Sequence, residues 1–307
     1  MKRQNRNEQF KEWYFKALNI TQQKMIIGKI TIKGVEDQND GTCRLIYNMN
    51  GEEKEGVLSI HNIKTNKYGM SWADNMITKD KVQLDIKERT LSIKGELGIE
   101  GIVDAKQSFI KPGIMGYYQY LPRLEFYQDI LVLQGKIKGM LCINGEEVDL
   151  SGGSYYLQRQ WGNKYPNVWL WTQCNGFKKK KNLALTVGIA RLKLWFNYYT
   201  GFAVPIYYDN RVEVFSNYNG GHIAKLYRYK GYVHLIVTQK DKLLDLKIYG
   251  RDEIECILDK ETHGIRDVYG CNKVKLEVKM TQNGKVILED TSFDCNIEMG
   301  GNTSKLK

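Results

Sequence analysis

Residues 152–177 read GGSYYLQRQWGNKYPNVWLWTQCNGF. Two segments of this stretch, residues 154–160 and 169–174, are rich in the aromatic side chains that favour β-strands. Turn-forming glycine, asparagine and proline residues separate them. The stretch therefore predicts two strands, and we take it to be the functional centre of a mostly β protein.

Segments of the same kind recur on both sides of this stretch, with period-two alternation and turn residues between them. Sustained helical periodicity is missing apart from one short segment, and the chain has only four prolines. We predict an all-β, antiparallel fold. The predicted strands are residues 25–32, 43–49, 57–60, 82–86, 130–133, 136–143, 154–160, 169–174, 183–194, 222–229, 232–238, 243–249, 274–280 and 286–289. The predicted hairpin turns, which require positive φ, are Asp40-Gly41, Asn50-Gly51, Asn144-Gly145, Asn219-Gly220 and Asn283-Gly284.

The exception lies near the amino terminus. Phe10, Trp13, Tyr14, Ala17 and Leu18 have the spacing of the apolar face of a helix. Taken by itself, this pattern predicts a short helix.

A chain of 307 residues is long for one ordinary core and suits about two domains of about 150 residues each. We predict an amino-terminal domain of residues 1–165 and a carboxyl-terminal domain of residues 166–307. A closed or nearly closed barrel in each domain would remove exposed sheet edges and leave a cup-shaped interior. Such an interior suits an apolar ligand.

The charge and cysteine patterns exclude several classes of protein. The net charge is +11, but the lysines are spread along the chain beside acidic residues, so we expect no nucleic-acid partner. The six cysteines form no CxxC pair, and we expect no metal site and free, mostly buried thiols. Without a run of ~20 apolar residues or a secretory signal, the expected location is the cytoplasm. The one basic run predicts a solvated loop or a weak contact with an anionic membrane surface, and it consists of Lys178, Lys179, Lys180 and Lys181.

Signatures of nucleotide, flavin and zinc-protease sites are missing, so no cofactor is expected. The main anomaly is the concentration of aromatic residues between Tyr117 and Trp171, among several glycines. Aromatic side chains suit either a barrel core or a cavity for a rigid hydrophobic ligand.

Three motifs resemble the tocopherol-cyclase-like family. They are PGIMGYYQYLPRLEFYQDILV at residues 112–132, the stretch at residues 152–177, and EWYFK at residues 12–16. The family is related to carotenoid hydratases and other lipocalin-like enzymes. The resemblance implies two lipocalin-like antiparallel β-barrel domains in tandem, with a strand in place of the helix at residues 10–18.

The resemblance also implies a chemistry, in which an acid protonates an isoprenoid double bond and a hydroxyl group or water captures the cation. This chain departs from the family pattern at the proton donors. Gln128 replaces the histidine of ECYH, and Gln158 and Gln160 replace the carboxylates of GYIEKDWG. Glutamine has no proton to give, and loss of general acid catalysis typically costs ~10²- to 10⁴-fold in rate.

We therefore predict a tocopherol-cyclase-like protein that binds an apolar, isoprenoid-like or prenylated molecule near the junction of the barrels, with weak or absent cyclase activity. The alternatives are an active cyclase, hydratase or isomerase with Glu125 as the acid, and a basic module that binds anionic lipid. Glu125 also has a structural interpretation, as a partner of barrel backbone, Arg123 or Arg159. The candidate catalytic residues are Glu125, Tyr156 and Gln158, and the candidate ligand-binding residues are Tyr118, Tyr127, Gln128, Gln160, Trp161, Trp169, Trp171, Gln173 and Asn175.

Overall fold

The computed structural model describes residues 9–33, 40–49, 51–105, 108–111, 113–122, 124–194, 197–229, 231–250 and 268–306. These residues form two compact units. The first unit comprises the described parts of residues 1–104 and 127–164, and the second those of residues 105–126 and 165–307. The predicted all-β, antiparallel fold is confirmed, because every strand pair in both sheets is antiparallel and the described residues contain only short 3-10 helices.

The first unit is built on a twelve-stranded sheet in the order β4-β3-β2-β1-β12-β10-β9-β8-β7-β6-β5, with β11 paired to β10. Its interior is filled by one apolar cluster that includes Trp13, Phe15, Ile26, Tyr155 and Leu157. The strands are β1 (Phe10–Asn19), β2 (Lys24–Lys33), β3 (Gly41–Met49), β4 (Glu52–Ile60), β5 (Lys64–Asn66), β6 (Gly69–Trp72), β7 (Asn75–Thr78), β8 (Lys81–Lys87), β9 (Ser92–Val103), β10 (Phe126–Ile143), β11 (Glu146–Asp149) and β12 (Ser154–Gly162).

The helix suggested by the spacing of residues 10–18 is wrong, and the strand that the family resemblance implies is confirmed, because this segment is strand β1. It pairs with β2 on one side and β12 on the other, so Glu12 lies between Thr31 and Gln160. Pairing on both sides satisfies the backbone of β1, and this tertiary context outweighs a short helical pattern.

The second unit is a nine-stranded sheet in the order β16-β15-β14-β13-β21-β20-β19-β18-β17. Side-chain bonds link the edge strand β16 to β18, which is next to the other edge strand β17, because the Gln239 amide accepts from the Ser216 N–H (3.0 Å) and donates to the Val214 carbonyl (3.1 Å). The sheet is therefore a nearly closed barrel. Its strands are β13 (Trp169–Cys174), β14 (Ala184–Leu194), β15 (Asn197–Tyr208), β16 (Arg211–Ser216), β17 (Gly221–Tyr229), β18 (Tyr232–Gln239), β19 (Lys242–Tyr249), β20 (Val268–Gln282) and β21 (Lys285–Gly300).

The predicted strands lie within observed ones, except that residues 183–194 begin one residue before β14, and residues 130–133 and 136–143 are parts of the single strand β10. At two of the predicted hairpins, Asn144-Gly145 and Asn283-Gly284, both residues have positive φ. The strands that the sequence analysis did not single out include β9 and β15.

The expectation that all the cysteines are free thiols is wrong, because Cys174 and Cys295 form a disulfide. The two residues are 121 positions apart, and the antiparallel pairing of β13 with β21 places them opposite each other. Spacing along the chain gives no sign of this contact. Cys43, Cys142 and Cys271 are free, and Cys256 lies outside the described residues.

No helix of the described residues is long and apolar enough to cross a bilayer. Within the same residues, no group of three or more His, Cys, Asp or Glu side chains is arranged to hold a metal ion.

Candidate functional site

One face of the first unit's sheet carries a continuous set of polar side chains. Alternate residues of a strand point to opposite faces of the sheet. Trp13 and Phe15 point into the core, so Glu12, Tyr14 and Lys16 point to the other face. The strand register places residues of β2 and β12 beside them on the same face. We call this set the polar face, and it comprises Glu12, Tyr14, Lys16, Lys29, Thr31, Tyr156, Gln158 and Gln160.

The polar face is shielded from solvent. Glu12 and Lys16 are each 1% exposed, Gln158 is 3% exposed, and Tyr156 is fully buried. Burial of polar and charged side chains is costly unless each finds partners, so the contacts on this face define its arrangement.

Gln158 is at the centre of the polar face. Its side-chain carbonyl oxygen accepts a hydrogen bond from the Tyr156 hydroxyl (2.7 Å) and another from the Gln128 amide on β10 (3.0 Å). The Tyr156 ring lies edge-on to the ring of Tyr14, with centroids 6.2 Å apart. Three residues that the sequence analysis selected, Gln128, Tyr156 and Gln158, are therefore in direct contact.

Glu12 has its own group of donors. Its carboxylate accepts hydrogen bonds from the Gln160 amide and the Thr31 hydroxyl (3.1 Å), and the Lys29 ammonium lies 3.5 Å away. Glu12 is not among the site residues predicted from the sequence. The pattern that could have identified Glu12 is the alternation of polar and apolar residues in EWYFK. This alternation becomes visible when the segment is interpreted as a strand.

The opposite face of β12 contributes an aromatic contact. The rings of Tyr127 and Trp161 stack with centroids 5.5 Å apart and an interplanar angle of 9°. The Arg159 guanidinium lies 4.7 Å from the centre of the Trp161 ring and 3.3 Å from the Asp129 carboxylate. Burial raises the pKa of Asp129, and the charge of Arg159 partly offsets this rise by lowering the pKa.

Glu125 and Tyr118 belong to the second unit. The Glu125 carboxylate accepts a hydrogen bond from the backbone N–H of Lys193 (3.0 Å). Tyr118 stacks on Tyr199 with centroids 5.7 Å apart. Burial, with a contribution from the hydrogen bond to Tyr117, raises the pKa of Tyr118 to about 12. Tyr118 is therefore protonated at neutral pH.

The candidate residues Trp169, Trp171 and Gln173 of β13, and Asn175 just after it, also lie in the second unit. Trp169 packs on the backbone of Gly300, where a Cβ atom would overlap its ring, and its own ring is 5.8 Å from that of Tyr165. Trp171 is half-buried. Gln173 is fully buried, and its amide donates to the side chain of Asn175. These contacts tie the residues into the second barrel.

The basic loop is tied to neighbouring strands. The Asp290 carboxylate accepts from the backbone N–H groups of Lys179 (3.1 Å) and Lys180 (2.8 Å), and the Lys180 ammonium lies 2.6 Å from Asp209. The Lys178 ammonium lies 4.3 Å from the centre of the Phe293 ring. The charge of Lys180 is thus compensated by an acid.

A cavity of about 550 Å³ lies within the second unit. None of the candidate residues named from the sequence lines it. Its lining includes Thr200, Asn217, His222, Ile223, Leu226 and Leu306.

Comparison with known proteins supports the resemblance seen in the motifs. The sequence model of the family described as Tocopherol cyclase-like matches residues 97–226. A probable chloroplastic tocopherol cyclase of Oryza sativa subsp. japonica is 24% identical over 201 residues, which is 61% of this chain and 42% of that protein. The chloroplastic tocopherol cyclase of Zea mays is 24% identical over 108 residues, or 34% of this chain and 23% of that protein. The chain thus spans less than half the length of these relatives.

Two solved structures share the fold. Kievitone hydratase from Nectria haematococca superposes with a TM-score of 0.57 at 12% identity, over 96% of this chain and 90% of that one. A putative AttH protein from Nitrosomonas europaea gives a TM-score of 0.50 at 12% identity, over 95% of this chain and 92% of that one. At this identity the likeness concerns the fold alone, and it agrees with the predicted lipocalin-like domains. The predicted resemblance to the tocopherol-cyclase-like family is confirmed, over residues 97–226.

Proposed function

We propose that this chain is a tocopherol-cyclase-like protein that binds an apolar, isoprenoid-like or prenylated small molecule and has weak or absent cyclase activity. The observation that carries this proposal is the position of Gln158. It stands where the family pattern has a carboxylate, is buried, and receives hydrogen bonds from Tyr156 and Gln128.

The chemistry of these three side chains suits recognition of a neutral polar group. Amides and hydroxyls both donate and accept hydrogen bonds without a change of charge. Binding sites for small molecules usually combine apolar walls with a few fixed polar groups that orient the ligand. Gln158, Tyr156 and Gln128 would serve as the fixed groups, for a hydroxyl or carbonyl on an otherwise apolar molecule.

The same geometry argues against strong acid catalysis at this position. Gln158 and Gln160 have no titratable proton, and the partners of Glu12 named above either donate to its carboxylate or carry the opposite charge. Glu12 therefore acts as an acceptor in this arrangement. Loss of a general acid typically lowers a rate ~10²- to 10⁴-fold, which fits a binding protein better than an efficient cyclase.

The test is retention of a ligand. Purified protein is incubated with a cell lipid extract, re-isolated, and the retained small molecules are identified by mass spectrometry. Gln158→Leu and Gln128→Leu should each lower retention about 5- to 150-fold, because loss of a buried hydrogen bond costs about 1–3 kcal/mol.

The chain offers a matched control. Gln134 is another buried glutamine of β10, and its amide donates to the hydroxyl of Ser154 on β12 (3.3 Å). Gln134→Leu should leave retention unchanged. Repeated recovery of empty wild-type protein, or an equal loss in the Gln134→Leu variant, would overturn the proposal.

A further inference from the structure

Residues 108–111 of the second unit present two adjacent large apolar side chains to solvent. Phe109 is 87% exposed and Ile110 is 68% exposed. Phe109 is the most exposed large hydrophobic residue in the part of the chain that the structure describes. Single exposed apolar residues are ordinary on protein surfaces, but adjacent ones mark interaction sites.

Hydrogen bonds hold this segment in place. The N–H of Ser108 donates to the Lys111 carbonyl (3.2 Å), and the N–H of Lys111 donates to the Ser108 hydroxyl (3.2 Å). The Tyr120 hydroxyl donates to the Phe109 carbonyl (2.7 Å), and the Lys111 ammonium lies 2.5 Å from the Asn219 side-chain oxygen. Phe109 and Ile110 are therefore exposed on a turn whose backbone is held by hydrogen bonds.

The neighbouring residues extend this surface. The 3-10 helix Gly116–Tyr120 brings in Tyr117, which is 43% exposed, and Tyr120, which is 58% exposed. Tyrosine combines an apolar ring with a polar edge and is enriched where a protein meets a membrane surface. We call Phe109, Ile110, Tyr117 and Tyr120 the apolar patch.

The charge around the apolar patch favours an anionic surface. Lys111 follows Ile110 directly, and residues 108–111 and 113–121 contain no aspartate or glutamate, in a chain whose net charge is +11. Basic residues close to a bilayer are attracted by anionic headgroups, and the attraction weakens as salt is added.

We propose that the apolar patch docks this protein on an anionic lipid bilayer. Phe109 and Ile110 enter the boundary between headgroups and acyl chains, while Tyr117 and Tyr120 lie at headgroup level. This inference goes beyond the proposed ligand binding and does not depend on it.

The test is sedimentation of the full chain with vesicles of neutral phosphatidylcholine, or of phosphatidylcholine mixed with anionic phosphatidylserine. We expect stronger binding to the anionic vesicles, and weaker binding in high salt. The double variant Phe109→Ser/Ile110→Ser should lower the partition coefficient at least about tenfold, because burial of each side chain in an apolar phase stabilises by about 1.5–3 kcal/mol.

A matched control removes apolar surface elsewhere in the same unit. Tyr229 is 58% exposed and Val286 is 50% exposed, so Tyr229→Ser/Val286→Ser should bind vesicles like the wild type. Unchanged circular dichroism and melting temperature would show that both double variants are folded.

Three results would overturn the proposal. The Phe109→Ser/Ile110→Ser variant could bind vesicles as well as the wild type. Binding could instead be lost only when Lys178 and Lys181 are replaced by glutamine, which would place the contact on the basic loop. Finally, the wild type could form a dimer that does not bind vesicles, and the Phe109→Ser/Ile110→Ser variant could be a monomer. That result would identify the apolar patch as an interface between copies of the chain.

Discussion

The side-chain amide of Gln160 donates a hydrogen bond to the carboxylate of Glu12. The family pattern GYIEKDWG has an aspartate at position 160. In this arrangement an acid at that position would face the Glu12 carboxylate directly. Two carboxyl groups in contact cannot both ionise without a large cost, and the amide at position 160 removes that constraint.

Restoring an acid at position 160 should create a proton-binding pair. In Gln160→Glu, the native state should retain a proton near neutral pH that the unfolded chain releases. Because the native state then binds more protons than the unfolded state, stability should fall as pH rises. We expect a loss of about 1–4 kcal/mol in the free energy of unfolding between pH 5 and pH 8, relative to the wild type. Urea denaturation across this range measures it.

The control for that experiment is Gln134→Glu, in which the new acid replaces an amide that donates to the Ser154 hydroxyl. Its stability should depend on pH less steeply. Equal slopes in the two variants would contradict the assigned contact between positions 12 and 160.

The two hydrogen bonds to Gln158 should contribute to the free energy of unfolding. Gln158→Leu leaves the Tyr156 hydroxyl and the Gln128 amide without this acceptor, at a cost of about 1–3 kcal/mol for each buried group. A double-mutant cycle that combines Gln158→Leu with Tyr156→Phe should show coupling, because the two residues share one bond. Additive losses of unfolding free energy would mean that the bond contributes little.

Asp129 supplies a pH-dependent test of the first unit. Burial raises its pKa, while the Arg159 charge opposes this shift. Since the folded-state pKa lies above the unfolded one, the stabilising contribution of Asp129 is present below the unfolded pKa and is lost as pH rises through the folded pKa. Arg159→Gln should raise the pKa of Asp129 further, as measured by NMR titration of its carboxyl carbon.

Lys79 provides the comparison, because its charge also lowers the pKa of Asp129 but contributes less than Arg159. Lys79→Gln should therefore give a smaller rise in that pKa. A fall of the Asp129 pKa in Arg159→Gln would contradict the assigned ion pair.

The disulfide between Cys174 and Cys295 should contribute strongly to the stability of the second unit. Cys174→Ala/Cys295→Ala should lower the free energy of unfolding by about 2–5 kcal/mol, the usual cost of removing a native disulfide. Cys142 is a half-buried free thiol, and Cys142→Ala should have a much smaller effect. Peptide mapping without reductant should recover the two cysteines in one linked fragment, and their recovery as separate alkylated peptides would refute the bond.

The role of Glu125 can be separated from that of Gln158. The Glu125 carboxylate accepts a hydrogen bond from the Lys193 N–H, and glutamine keeps an oxygen acceptor of similar shape. Glu125→Gln should therefore preserve the melting temperature and ligand retention. If the protein turns over an isoprenoid substrate with Glu125 as the acid, this substitution should abolish turnover, and unchanged turnover would remove Glu125 as the acid.

Local patterns were sufficient to predict many of the strands, because each depends on alternation and turn chemistry within a few residues, but they missed β9 and β15 and suggested a helix at β1. Gln128, Tyr156 and Gln158 were selected through the resemblance to the family motifs and not from local patterns. Contacts between distant strands were not predictable in this way. Glu12 and Gln160 are 148 positions apart, and Cys174 and Cys295 are 121 positions apart.

The segment at residues 10–18 shows why local evidence fails. Its apolar residues fit a helical spacing, and its alternate residues Trp13, Phe15 and Ala17 fit a strand equally well. Pairing with β2 and β12 decides between the two, and a single sequence does not reveal that pairing. The helical interpretation concealed Glu12, because on a helix Glu12, Tyr14 and Lys16 do not share one face.

In strand β1, Trp13, Phe15 and Ala17 point into the apolar interior of the first unit, and Glu12, Tyr14 and Lys16 lie on the polar face. Adding or deleting one residue within β1 would exchange the two sets, moving Glu12 and Lys16 into the apolar interior. A substitution at an even position changes the polar face and leaves the interior packing as it was. Proteins built in this way can therefore acquire a new chemistry through single replacements, such as acid to amide, whereas the length of β1 is fixed by the need to fold.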